Sequence, residues 1–175
     1  MADFWANSTL EPKRKHRFLL FFNNVDLPQY VIKSTDKPAF SINTTTHNYF
    51  GHQFHYPGQV VWEPINVTLV DPISPDSSTA LNEILRKSGY GTPDEATGDK
   101  SILPTVSKAN AVAALGGKVI IRQYDVEGLN TEPVESWELW NPWIEAVNYG
   151  SLDYSSDEML EISLTLRFDW AKLDF

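Results

Sequence analysis

The 175-residue chain contains no cysteine. That excludes a disulfide framework, a thiolate zinc site, an iron–sulfur cluster and a cysteine nucleophile. Long hydrophobic runs are missing as well. The longest purely apolar stretches, Phe18 to Phe22 and Ala111 to Leu115, fall far short of the roughly 20 residues that a bilayer-crossing helix needs. No membrane insertion by this chain is expected. Positive charge is scarce: 14 Lys and Arg stand against 23 Asp and Glu, a formal net charge of −9. A basic footprint for gripping nucleic acid is therefore not visible. The run Lys13-Arg14-Lys15-His16-Arg17 before Phe18 to Phe22 has the outline of a secretory signal. Asn23-Asn24 cut its apolar part short and no small-residue cleavage site follows, so a solvated arm leading into a buried strand is expected. The sequons at Asn7, Asn43 and Asn66 are then chance matches.

What is present is aromatic and β-patterned: 13% of residues are aromatic, six of them tryptophan, and apolar positions recur every second residue. At the C-terminus Leu160, Ile162, Leu164, Leu166, Phe168 and Trp170 alternate with polar residues, which predicts one strand with a dry face and a wet face. Arg17 to Asn23, Gln59 to Val70, Lys118 to Tyr124 and Glu135 to Trp140 read as further strands bounded by turn residues. Tyr30 to Ser34 is a weaker strand signal, and Phe40 to Tyr56 is expected to form a hairpin turning through Asn48 to Gly51. One helix stands out, with Ser74 as its cap, Pro75 in its first turn and an apolar stripe of Leu81, Ile84 and Leu85. A short helix from Ser107 to Leu115 fits inside the irregular stretch between Gly89 and Gly117. The expected organisation is a polar arm over residues 1–16, its first fifteen residues untethered, and a single mainly β domain over 17–175 with a long inserted loop at 89–117.

Catalytic constellations are weak. His47, His52 and His55 fall within nine residues, but on a strand His52 and His55 point to opposite faces, and no nearby carboxylate appears until Glu63. They read as surface or interface histidines and not as a metal site. Asp125 with Glu127, and Asp153 with Asp157 and Glu158, have the composition of a glycosidase pair, yet both sets sit in turn-like sequence. There is no GxSxG elbow, P-loop or GxGxxG fingerprint. Trp137, Trp140 and Trp143 could stack on sugars, but burial in a core or subunit interface is the expected use. No enzyme activity, cofactor or metal is called for.

Three motifs in order make a specific pattern. Val119-Ile120-Ile121-Arg122-Gln123-Tyr124 is followed by Trp137-Glu138-Leu139-Trp140-Asn141-Pro142. Leu152-Asp153-Tyr154-Ser155-Ser156-Asp157 then leads into Leu160 to Trp170. Together they resemble the tail tube proteins of contractile-tailed bacteriophages. Val67-Thr68-Leu69-Val70-Asp71-Pro72, followed by the helix around Asn82 to Arg86, resembles that family's strand-to-helix junction. The likeness spans roughly Arg17 to Trp170 and departs from the family in the polar arm and the long loop.

The resemblance implies a β-sandwich or partly rolled barrel with one flanking helix, assembled as hexameric rings stacked into a hollow tube. It implies a structural virion protein, assembled in the host cytoplasm, that conducts DNA without binding it specifically, an acidic lumen repelling phosphate. Its implied partners are further copies of itself, a tail sheath protein, a tape-measure protein, and baseplate and tail-terminator proteins. Ring contacts are expected in the arm, the hairpin and the loop, with Phe50, His52, Tyr90, Trp140 and Trp143 as interaction residues. The inner tube of a phage-tail-like injection machine is the nearest alternative, and a carbohydrate-binding β-sandwich built on the tryptophans is a more distant one.

Overall fold

A computed structural model describes residues 12–25, 27–95, 104–128 and 132–174. Its strands form two four-stranded sheets and a separate two-stranded hairpin, with every pairing antiparallel. The first sheet has the order β1 (Phe18–Phe22), β6 (Lys118–Gln123), β7 (Glu135–Trp140), β10 (Trp170–Asp174). The second runs β2 (Ile32–Thr35), β5 (Ile65–Val70), β9 (Glu161–Arg167), β8 (Trp143–Asn148). The hairpin is β3 (Phe40–Tyr49) with β4 (His52–Trp62).

The core lies between the two sheets because each contributes every second residue to it. Leu20, Val119, Ile121 and Leu139 come from the first sheet, and Ile65, Val67, Leu69, Ile162, Leu164 and Leu166 from the second. Two helices close one side, α1 (Ser77–Lys87) through Leu81 and Ile84, and α2 (Lys108–Ala114) through Ala114. The sandwich expected from the sequence is thus present and no barrel closes. Among the described residues it carries two α-helices, the second at the position that Ser107 and Gly116 predict, where Ser107 accepts the Asn110 N–H as its cap.

Four local expectations need correction. Helix α1 is capped by Asp76, whose carboxylate accepts the N–H groups of Ser78 and Thr79 at 3.0 and 3.3 Å. Ser74 and Pro75 precede the helix, and the Asp71 carboxylate takes the Ser77 N–H. The segment Gln59 to Val70 is not one strand. It breaks at Glu63-Pro64 and feeds the hairpin on one side and the core sheet on the other, since Pro64 supplies no ladder donor.

The C-terminal alternation also breaks. Phe168 is the last buried residue of the alternation, and after Asp169 the chain crosses to the other sheet as β10, where Ala171 packs on the core and Trp170 is left 45% exposed. Asp169 pins that crossover by accepting from Lys108 Nζ at 2.8 Å and Asn141 Nδ2 at 2.9 Å. The arm is the last correction. Its first eleven residues lie outside the described ones, but Lys13 is ion-paired to Glu135, and the Arg14 carbonyl accepts from Gln123 Nε2 at 3.1 Å. The end of the arm is therefore tied to the body.

Candidate assembly surfaces

The hairpin's register and exposure set it apart. Phe50 and Gly51 form its turn with φ of 50° and 77°, the pair of positive values that a two-residue type I′ connection requires. A bulge between Ile42 and Thr44 places Asn43 opposite Gly58 and Gln59. Glycine is needed there: a Cβ on Gly58 would sit 2.8 Å from the Asn43 carbonyl oxygen. Pro57 lies in the same strand and is tolerated because β4 has a partner on one side only. Strands of 10 and 11 residues extend about 33 Å.

At its base Trp62 packs on Phe168, with ring centroids 5.9 Å apart, and Phe40 packs edge-on against Trp62. Beyond that base the hairpin is exposed along its whole length. The pairs His47 with Phe54, Thr45 with Tyr56 and Tyr49 with His52 share one face, so Tyr49, Phe54 and Tyr56 form an aromatic stripe. Phe50, 84% exposed, lies at the tip edge-on to Tyr49. An isolated two-stranded ribbon is marginal in water, and this one leaves its apolar side chains uncovered. Phe50 and His52 of the expected interaction residues meet here. His55 falls on the opposite face, paired with Thr46. Among the described residues no group of three His, Asp or Glu side chains is placed to hold a metal ion.

The other three expected residues lie apart from the hairpin and from one another. Trp140 sits on the outward face of the first sheet, stacked on Trp170 at 5.7 Å, with Lys118 Nζ 3.7 Å from its ring and Glu138 holding that ammonium at 3.1 Å. Trp143 begins β8 and lines a groove with Val106, Ala111 and Phe168. Tyr90 follows α1, half exposed, its N–H donated to the Leu85 carbonyl. The two-residue period of β8 is interrupted by a bulge between Ile144 and Ala146, which hides the strand from a pattern reading.

The faces and edges of the two sheets differ. The first sheet's outward face is charged and aromatic, with Arg122 5.2 Å from the Phe21 ring and Lys172 paired to Asp174 at 2.7 Å. On the second, Thr68 pairs with Ser163 and Asn66 with Thr165 across β5 and β9. Ser163 in turn pairs with Asn148, giving a hydroxyl-rich patch flanked on the same face of β9 by Glu161, paired to Lys33, and Arg167, paired to Glu145. The edge at β1 is plugged. Gln29 donates to the Leu20 carbonyl at 2.7 Å and accepts the Leu20 N–H at 3.2 Å, so the backbone groups at the middle of that edge are not open to a further strand.

The buried polar centre is Glu135, 7% exposed. Burial pushes its carboxyl up, but hydrogen bonds from Lys13, Lys37 and the Trp137 indole outweigh that and bring it down to about 2. Lys37 also reaches Gln123 Oε1 at 2.7 Å. One carboxylate thus ties together the arm, the link between β2 and β3, and the first sheet. No signal in the sequence separated Glu135 from the other acidic residues. The acidic pairs weighed as catalysts do not form such centres: Asp125 accepts the Val126 N–H, and Asp153 accepts the Ser155 N–H and hydroxyl, ordinary turn contacts.

No protein-family model matches the chain, and no curated protein matches it. Solved structures do. A chain of the cryo-EM structure of an extracellular contractile injection system, the PVC sheath–tube complex in its extended state, superposes with a TM-score of 0.66 at 17% identity. The match covers 93% of this chain and 91% of that one. The chain has the tail-tube fold. A chain of the anti-feeding prophage (AFP) baseplate gives 0.64 at 18% identity over 94% and 96%. A chain of the AFP tube-terminating cap gives 0.64 at 17% over 99% of each. The likeness extends over nearly the whole of each chain despite the low identity.

Proposed function

We propose that the chain is the repeating subunit of the inner tube of a contractile tail, assembling into hexameric rings that stack as a rigid conduit. The observation that carries this reading is the β3–β4 hairpin, a long two-stranded ribbon with its aromatic stripe uncovered, on a body of tail-tube fold. Burial of apolar surface contributes about 25 cal/mol per Å², so covering that stripe with a neighbouring copy supplies a driving force for association. Phe50 and His52 would make their contacts there. The role is structural and not catalytic. The expected partners are a sheath, a baseplate, a terminator and a tape-measure protein. The match to chains of sheath–tube, baseplate and cap structures supports the first three.

In a phage tail the cargo would be DNA, and the chain's net charge of −9 suits a wall that must not hold phosphate. A second reading, the tube of an extracellular injection device, is favoured by the injection-system structures that share the fold. The hydroxyl-rich patch of Thr68, Ser163 and Thr165 suits either cargo, since the charges that flank it are balanced in the pairs Lys33–Glu161 and Arg167–Glu145. Negative-stain electron microscopy of the purified protein across a concentration series tests the assembly reading. Rings or hollow filaments are the expected result. A species that stays monomeric even on a supplied baseplate would overturn the reading.

A further inference from the structure

The second sheet borders two regions of unlike chemistry. At its β2 edge lies a cleft in which exposed Lys15, His16, Lys33 and Lys37 surround half-buried Phe18 and Trp137. This basic concentration is unexpected in a chain of net charge −9. Lys37 is engaged by Glu135, and Lys33 by Glu161. Asp36, the acidic residue in the cleft, is occupied with the Asn66 N–H and side-chain amide at 3.1 and 3.2 Å. Lys15 and His16 have no ion pair or hydrogen bond among the described residues.

The connection between β8 and β9 carries the reverse character. The strand order β2-β5-β9-β8 starts the β8–β9 connection, residues 149–160, on the edge strand away from β2 and ends it on β9, where the Leu160 carbonyl accepts the Asp71 N–H. That connection holds Asp153, Asp157 and Glu158 and no basic residue. It also leaves Leu152, Tyr154 and Met159 at 89%, 113% and 70% exposure. An acidic loop that shows this much apolar side chain to water, and a basic cleft with an aromatic floor, are complementary in both charge and polarity. Within one chain the two regions touch at the base of the loop, where Lys33 reaches Glu161, while Leu152, Tyr154 and Met159 stay exposed and Lys15 and His16 stay without an ion pair among the described residues. Copies set side by side around an axis bring the two together at every junction, the head-to-tail arrangement that closes a ring.

We infer that the basic cleft at the β2 edge receives the acidic 149–160 loop of a neighbouring copy, Lys15 and His16 facing Asp157 and Glu158 and the loop's apolar side chains resting on Phe18 and Trp137. The inference rests on the self-assembly reading and specifies its lateral contact, separate from the hairpin. It also gives the basic arm a use beyond tying down Glu135: it builds half of the junction.

The absence of native cysteine makes disulfide mapping clean. Two single-cysteine variants, Lys15→Cys and Asp157→Cys, are mixed in equal amounts, allowed to assemble and oxidised, then run on a non-reducing gel. Because each chain carries one thiol, any disulfide joins two copies. The expected result is a mixed dimer at least ten-fold above either homodimer, falling away when the mixture is diluted below the assembly threshold. Tubes that assemble without the mixed dimer would overturn the junction while leaving the tube reading intact. Failure of the unsubstituted protein to assemble on a baseplate would overturn both.

A charge exchange covers the case in which a thiol itself prevents assembly. Lys15→Glu alone and Asp157→Lys alone should each raise the threshold concentration several-fold. Their equimolar mixture should restore it, since an even-membered ring can alternate the two. A mixture no better than its components would contradict the junction.

Discussion

The sandwich and the hairpin are built from the same chemistry and end in opposite conditions. Both are antiparallel, aromatic-rich and register-specific. In the sandwich, Val67, Leu69, Ile162 and Leu164 are buried to within 1%, Gln29 closes the β1 edge, and three donors converge on Glu135. In the hairpin, Tyr49, Phe54 and Tyr56 stay about half exposed. The sandwich satisfies its groups within one chain. The hairpin is left for other copies to satisfy, and that division between folding and assembly is the main lesson of the structure.

Substitutions should therefore separate the two processes. The largest loss of monomer stability is expected from Leu164→Ala, which opens a cavity between the sheets and costs about 2–5 kcal/mol. Urea unfolding of the unassembled chain would read it, and a loss below 1 kcal/mol would mean the core is elsewhere. Glu135→Gln comes next. Its carboxyl lies at about 2 in the folded chain against an ordinary 4.5, a difference worth up to about 3 kcal/mol. The group is depressed, so its contribution is present above pH 4.5 and lost as pH falls from 4.5 toward 2. The variant should be less stable at pH 7 and lose that acid-dependent limb, which stability measured from pH 7 to 2 would reveal.

Gln29→Ala should cost about 1 kcal/mol by uncovering the Leu20 backbone groups, with aggregation through the opened β1 edge visible by light scattering. Smallest for the monomer is the pair Phe54→Ser and Tyr56→Ser, within about 0.5 kcal/mol because both are exposed. The same pair should abolish tube formation in electron micrographs. If it unfolded the monomer instead, the contrast between sandwich and hairpin would collapse.

How much of this was legible in the sequence depends on whether local pattern or distant contact decides. Strand β7 shows its full extent because Glu135 to Trp140 is bounded by turn residues and buried on one side. The hairpin was legible because Phe50-Gly51 lies between two long β-prone runs. Strand β8 was not, since the bulge at Glu145 breaks its period. Nor was the sheet switch at Asp169, where the alternation runs unbroken through Trp170 and only the contacts of Lys108 and Asn141 mark the crossing. Helix α1 was placed correctly, but its cap was not, because Ser74 and Asp76 are both good caps and the Asp71 contact to Ser77 decides between them. Among the interaction residues, Phe50 and His52 came together as neighbours in sequence. Tyr90, Trp140 and Trp143 are distributed by the topology, and the network around Glu135 joins residues more than a hundred positions apart, beyond any local pattern.

Amide hydrogen exchange on the unassembled chain and on assembled tubes measures the division between folding and assembly directly. The account predicts that β5 and β9 are protected in both states, whereas the amides of β3 and β4 beyond the Phe40–Trp62 base exchange rapidly in the free chain and become protected in the tube. A hairpin as protected as β5 and β9 before assembly would contradict it.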